Sequence, residues 1–344
     1  MRVLFVPVSA ARGFGEYARA REIARAVQER WPTAQLHFIL SVHASYAAQC
    51  PFPATLLPGS ATLHTPQVVE LLHSFKPDIV VFDNAGRTAQ VRAAHAAGAR
   101  VIYISSRRRQ RAKAFRVGWM RRLSEHWIAY PRFIAGDLGA SERLKLKFLG
   151  RPHVRFVDTV LPVGAEEPGP LPQLRDFVLL VPGGGTAHPG AHAAPAIIAD
   201  AAAALAARGL RTVLVGALED VTGTDMLSRL PLLPQTQLVA LLRRARVVVS
   251  NGGDTLLQAL ACGCACVAVP IAHDQAARIA RCRDLGLIHA APLAAGAIVD
   301  AAAKLYDDEP ARHRLVERAC AMDIHDAMPQ LLDWIAALAP EARP

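Results

Sequence analysis

Aromatic residues are scarce, 6% of a 344-residue chain, and cysteine is scarcer, with six in all. So few thiols over such a length exclude a disulfide-stapled scaffold. Cys262, Cys264 and Cys266 alternate within ALACGCACVAVP, and that spacing fits no zinc pattern, which needs pairs two to four apart with a second pair or histidines elsewhere. They read as small buried hydrophobes of a reducing compartment. HExxH and other paired-ligand spacings are missing, so neither a metal site nor a cofactor is expected. No stretch of 18 apolar residues occurs, and the opening run MRVLFVPV is too short for a signal peptide. The expectation is a cytoplasmic protein, at most peripheral on the inner face of the plasma membrane.

What is present is a globular composition, 52% hydrophobic and 20% charged, with length for two cores. Charge divides the chain. Residues 1–165 hold 24 basic and 10 acidic side chains, whereas residues 166–344 hold 15 and 19, for an overall +10. A basic half joined to a mildly acidic one implies two domains with different partners, the first meeting something anionic.

Short apolar runs alternate with helical periodicity throughout. RVLFVPV (2–8), LHFILSV (36–42), PDIVVFD (77–83) and ARVIYIS (99–105) predict buried strands, with helices after the first loop and over 65–75 and 88–98. The Pro- and Gly-rich stretch 161–176 predicts a linker. Beyond it the alternation restarts with FVLLVP, LRTVLVGA, RVVVSN and CACVAVPI as strands. The predicted fold class is α/β: two Rossmann-like, doubly wound domains facing a cleft. Their limits are 1–165 and 166–327, with a helix in 328–344 packing back across the junction.

In such folds ligands lie beyond the carboxyl ends of the strands. Two glycine loops of the second half fit. Gly183, Gly184, Gly185 and Thr186 follow one strand, with His188 nearby. Ser250, Asn251, Gly252, Gly253, Asp254 and Thr255 follow another, offering backbone N–H groups and short hydroxyls to phosphate or sugar oxygens. Neither is GxxxxGK[ST] or a clean GxGxxG, which disfavours a P-loop ATPase.

The segment from Leu232 to Leu287 resembles the donor half of GT-B nucleotide-sugar glycosyltransferases, the group of the UDP-glycosyltransferases and the MurG-like family. A PQ loop, a strand, a glycine loop, a helix ending in Ala-Cys-Gly, a strand ending in Pro, Asp-Gln and a final Leu-Gly appear in order. The resemblance implies that Leu232, Leu233 and Gln235 line a nucleobase and that the Ser250–Thr255 loop meets a diphosphate. It places Gln258 where the family has a ribose-binding Glu, and gives Asp274 and Gln275 the hydroxyls of the transferred sugar. The first loop is similar to the family's acceptor loop: Gly13, Phe14 and Gly15 precede Glu16, which replaces the family's His and would serve as general base. The plainer reading of Glu16 is a first-turn acid favoured by the helix dipole. Asp83, at a strand end, is the second acidic candidate.

The resemblance implies an inverting, metal-independent transfer of a sugar, UDP-linked, to a hydroxyl of a lipid-linked or envelope glycan precursor. A nucleotide-sugar hydrolase or epimerase of the same fold, and a non-catalytic subunit anchoring a partner, are the alternatives.

Residues 105–122 contain Arg107, Arg108, Arg109, Arg111, Lys113, Arg116, Arg121 and Arg122 and no acid, with Trp119 among them. An anionic membrane surface or lipid-linked acceptor is the first reading, with Trp119 at headgroup level. A solvated loop with Trp119 packed inward is the second, and nucleic acid, without a binding motif, the third.

Overall fold

The computed structural model describes residues 1–9, 14–162, 171–183, 193–216 and 224–339. Contacts divide the chain into two units, Met1–Val160 with Ala327–Pro344, and Leu161–Asp326.

The first unit carries a parallel sheet of seven strands: β1 (Arg2–Pro7), β2 (Gln35–Ser41), β3 (Ala54–Leu57), β4 (Ile79–Asp83), β5 (Arg100–Ser105), β6 (Glu125–Ile128) and β7 (His153–Phe156). Their order is β3-β2-β1-β4-β5-β6-β7, and Val3 of β1 is flanked by Leu36 and Ile79. Helices cover both faces of a parallel sheet, so its central strands read as unbroken apolar runs; all five residues of β4 are buried. On one face Leu4, Val6, Val80 and Phe82 meet Val68 and Leu72 of the helix Thr65–Phe75. Each such side chain stabilises the fold by about 1.5–3 kcal/mol on leaving water.

The second unit repeats the plan with six strands: β8 (Val178–Val181), β9 (Thr212–Val215), β10 (Leu227–Leu230), β11 (Val247–Asn251), β12 (Cys266–Val269) and β13 (His289–Ala290). The order β10-β9-β8-β11-β12-β13 is again that of a doubly wound sheet. The helix Ala194–Ala207 lays Ile198, Ala201, Ala202 and Leu205 into a core shared with Ile298 and Ala302 of the helix Ala295–Asp307. Small alanines let the two backbones approach. Cys264 and Cys266 are buried here, and desolvation pushes both thiols well above their ordinary range.

The last described helix, Met328–Leu338, belongs to the first unit. Asp333 pairs with Arg30 at 2.7 Å, and the Trp334 ring lies 5.9 Å from that of Trp127.

In each sheet the strand order reverses once, between β1 and β4 and between β8 and β11. Loops leaving such strands run to opposite faces, which makes the carboxyl edge at these points the expected place for a ligand.

Candidate functional site

In the first unit the reversal brings together three loops. The helix Gly15–Arg30 follows β1, and Glu16 stands in its first turn. Asn84 follows β4 in a left-handed conformation, φ 52°, and Ser106 follows β5. Asn84 joins them: its Nδ2 donates to Glu16 Oε1 at 3.0 Å and to Ser106 Oγ, while its Oδ1 accepts the Ser106 N–H at 2.9 Å. Asn84 thereby fixes one oxygen of the Glu16 carboxylate. A polar residue just past a buried strand at the reversal point was the signal for Asn84; its bond to Glu16 spans 68 positions and leaves no local trace.

Phe14 sits edge-on to Tyr17 and Tyr46, which stack at 4.1 Å. The Tyr46 hydroxyl donates to Ser9 Oγ at 3.2 Å. Burial raises its pKa, and the Glu16 charge adds to that, so the phenol stays protonated. Gly15 is exposed, and Gly13 lies outside the described residues.

Asp83 is corrected from candidate base to structural ion pair. It is fully buried, and its two oxygens accept from Arg19 Nε at 2.8 Å and Arg19 Nη2 at 2.9 Å. A fully buried carboxylate held by a guanidinium fork is already charge-compensated, which is what a structural ion pair requires.

In the second unit Asn251 ends β11 and clamps the reversal point. Its Nδ2 donates to Pro182 O at 2.6 Å, and its Oδ1 accepts the Gly253 N–H at 2.7 Å. The surrounding glycines are required sterically. Gly183 has φ +72°, and a Cβ there would lie 2.7 Å from Asn251 Nδ2. A Cβ on Gly252 would meet Ile279 Cγ1 at 2.8 Å. Ser250 Oγ is buried without a hydrogen-bond partner among the described residues. Asp254 and Thr255 open the helix Asp254–Ala261, so a negative charge already occupies the first turn of that helix. Gly184, Gly185, Thr186 and His188 lie outside the described residues.

Gln258 and Gln235 meet, Nε2 of the first donating to Oε1 of the second at 3.2 Å. Leu232 is 73% exposed beside Gly216 at the end of β9, and Leu233 is half-buried. Asp274 is exposed at the start of the helix Gln275–Asp284. Gln275 is corrected in part: its Oε1 accepts the N–H groups of Ile271 and Ala272 at 2.9 and 3.1 Å. That oxygen closes the loop after β12 and is spent for a sugar hydroxyl. Arg278, which the sequence reading passed over, is buried and donates to Gly252 O, bringing a positive charge beneath the glycine loop. Its position three residues after Gln275 on one helix face was the available signal.

The basic run does not place Trp119 at a membrane headgroup level. It forms two short helices, Arg108–Ala114 and Val117–Met120, and Trp119 is 1% exposed, its Nε1 donating to Thr88 Oγ1 at 3.0 Å. Phe115 and Met120 are buried with it and serve the core, whereas Val117 is exposed. Arg111 is half-buried, paired with Glu142 at 2.7 Å and donating to the carbonyls of Ala135, Gly136 and Asp137. Lys113 is half-buried and Arg122 donates to Gly118 O. Arg107, Arg108, Arg109, Arg116 and Arg121 remain exposed. Among the described residues no helix is long and apolar enough to cross a membrane.

No protein-family model matches the sequence, and no curated protein matches it significantly. Solved structures do resemble it. The spinosyn forosaminyltransferase SpnP is 17% identical, with 98% of this chain and 99% of that one covered at a TM-score of 0.63. The glycotransferase of kitacinnamycin is 18% identical over 98% and 99%, TM-score 0.67. UGT89C1 of Arabidopsis thaliana complexed with UDP is 14% identical over 98% and 100%, TM-score 0.62. Likeness at such low identity speaks for architecture: two Rossmann-like units in sequence, each with its strand order reversed once, give this chain the GT-B fold.

Proposed function

We propose that the chain is an inverting, metal-independent glycosyltransferase that takes a nucleotide sugar in its second unit and an acceptor hydroxyl in its first. The observation that carries this reading is the Glu16–Asn84–Ser106 constellation at the first reversal point. It puts an oriented carboxylate where an acceptor would lie, in a chain whose other reversal point offers glycine loops to a diphosphate. Glu16 Oε2 accepts the hydroxyl proton as that oxygen attacks the anomeric carbon. The bond from that carbon to the diphosphate breaks, and its electron pair leaves with the nucleotide. The Gly252 N–H and the Arg278 charge beneath it favour the departing anion.

Structures described as complexes with UDP and with thymidine diphosphate occur among the similar folds, and they support a uridine or thymidine diphosphate carrier. Leu232, Leu233, Gln235 and Gln258 are the residues assigned to its nucleoside, and Asp274 to the transferred sugar. The acceptor we assign is a glycan precursor of the cell envelope, met on the cytoplasmic side. The test is a thermal-shift panel of nucleoside diphosphates followed by transfer assays with the nucleotide sugars that bind. A ligand bound by the native state alone raises Tm. A panel with no responder removes the transferase reading.

A further inference from the structure

Lys113 stands on the short helix after β5. Its ammonium donates to Gly86 O in the loop after β4 and lies 4.4 Å from the Trp119 ring centroid. Arg109 precedes it by one helical turn on the same face. Arg116 follows, its N–H donating to Lys113 O at 3.2 Å. Arg87 is the next residue after Gly86, and its Nε is fixed on Thr62 O at 2.9 Å. Three further cations, Arg87, Arg109 and Arg116, thus lie near enough for their charges to act on the Lys113 ammonium beyond β4 and β5.

None of the four is paired with a carboxylate among the described residues. The contrast with Arg111 on the same helix is direct, since that side chain is paired with Glu142 and donates to three carbonyls. Burial, with the charges of Arg87, Arg116 and Arg109, brings the Lys113 pKa down to about 8. A half-buried ammonium among three guanidiniums is an electrostatic cost that a bound oxyanion removes.

We infer that Lys113, Arg87, Arg109 and Arg116 form a site for a phosphate group carried by the acceptor, an inference that rests on the transferase reading of Glu16. Phosphate fits better than carboxylate: its three oxygens and double charge suit an ammonium together with several guanidinium forks. The position suits an acceptor too. Asn84, bonded to Glu16, lies two residues before Gly86, and Ser106 lies three before Arg109. One molecule with a phosphate and a hydroxyl reaches both the cations and the carboxylate.

The full chain, first saturated with UDP to occupy the donor loops, is titrated calorimetrically with glycerol 3-phosphate at low salt. It is then sedimented with vesicles of phosphatidylcholine alone or with added phosphatidic acid. Arg109→Ala/Arg116→Ala alters exposed side chains and should weaken phosphate binding by about tenfold or more. Lys113→Gln should weaken it as well. Binding of glycerol 3-phosphate supports a soluble phosphorylated acceptor, and binding confined to phosphatidic acid vesicles supports the phosphate of a lipid headgroup. Equal affinity in the wild type and the double variant, or no binding of either probe, overturns the site. Failure of UDP to bind strikes the donor reading separately, because the phosphate titration and its arginine dependence are read without UDP as well.

Discussion

Asn84 Nδ2 reaches Glu16 Oε1 at 3.0 Å, so a neutral amide orients the carboxylate of the Glu16–Asn84–Ser106 constellation. Glu16→Gln keeps the shape and removes the proton acceptor. Its kcat should fall roughly 100- to 10,000-fold, with donor binding retained. Asn84→Asp puts a second carboxylate against the first. Like charges disfavour joint ionisation, so the acid limb of the pH–rate profile should move to higher pH. Steady-state kinetics over pH 5 to 9 read both effects, and full turnover in Glu16→Gln would remove Glu16 from the chemistry.

Arg19 and Asp83 make the opposite prediction. Their bidentate pair is buried at the same edge of the sheet, and removing one partner leaves an uncompensated charge, at a cost of about 3–5 kcal/mol. Arg19→Met should therefore lower the urea midpoint strongly. Arg19→Met combined with Asp83→Leu should recover part of the loss. A catalytic Asp83 would show the reverse pattern, lost turnover in Asp83→Asn with unchanged stability.

These two carboxylates show what the sequence could and could not tell. β4 and β11 were legible because strands buried on both faces carry unbroken apolar runs, here Ile79 to Phe82 and Val247 to Val249, before their polar ends. β10 and the two-residue β13 were not, since edge strands carry no such run. Glu16 and Asp83 looked alike as acids beside strand ends. Their partners lie 68 and 64 positions away, and those partners separate a carboxylate held by a neutral amide from one held in a buried ion pair. The placement of Trp119 at a headgroup level failed for a related reason. Composition counts charges, whereas the break between the two short helices of the basic run turns Phe115, Trp119 and Met120 inward.

His126 gives the core a pH dependence. It is fully buried on β6, its Nε2 2.8 Å from Ser105 Oγ, and burial drives its pKa from 6.5 down to about 3. The unfolded chain binds a proton below about 6.5 that the folded chain refuses, so stability is lost as pH falls towards 3. The slope is about 1.4 kcal/mol per pH unit from this group. Urea denaturation at pH 7 and pH 5 should differ by about 2 kcal/mol more in the wild type than in His126→Phe. Equal differences in the two proteins would mean that His126 titrates normally in the fold.

Gly252 tests whether the second glycine loop is built for close packing and for a ligand together. A Cβ there would stand 2.8 Å from Ile279 Cγ1 and 3.0 Å from Gln275 Cβ, both on the helix Gln275–Asp284. Gly252→Ala must push that helix away or tilt the loop. Overpacking of this kind costs about 1–3 kcal/mol. The same displacement shifts Arg278, which donates to Gly252 O, and the loop N–H groups assigned to the diphosphate. Nucleoside diphosphate affinity should therefore fall along with Tm. Ile279→Ala added to Gly252→Ala makes room for the new methyl group and separates the two effects. If the loop holds the diphosphate, calorimetric affinity recovers in the double variant as the backbone returns. If affinity never changes while Tm does, the loop is a packing device and the donor is held elsewhere.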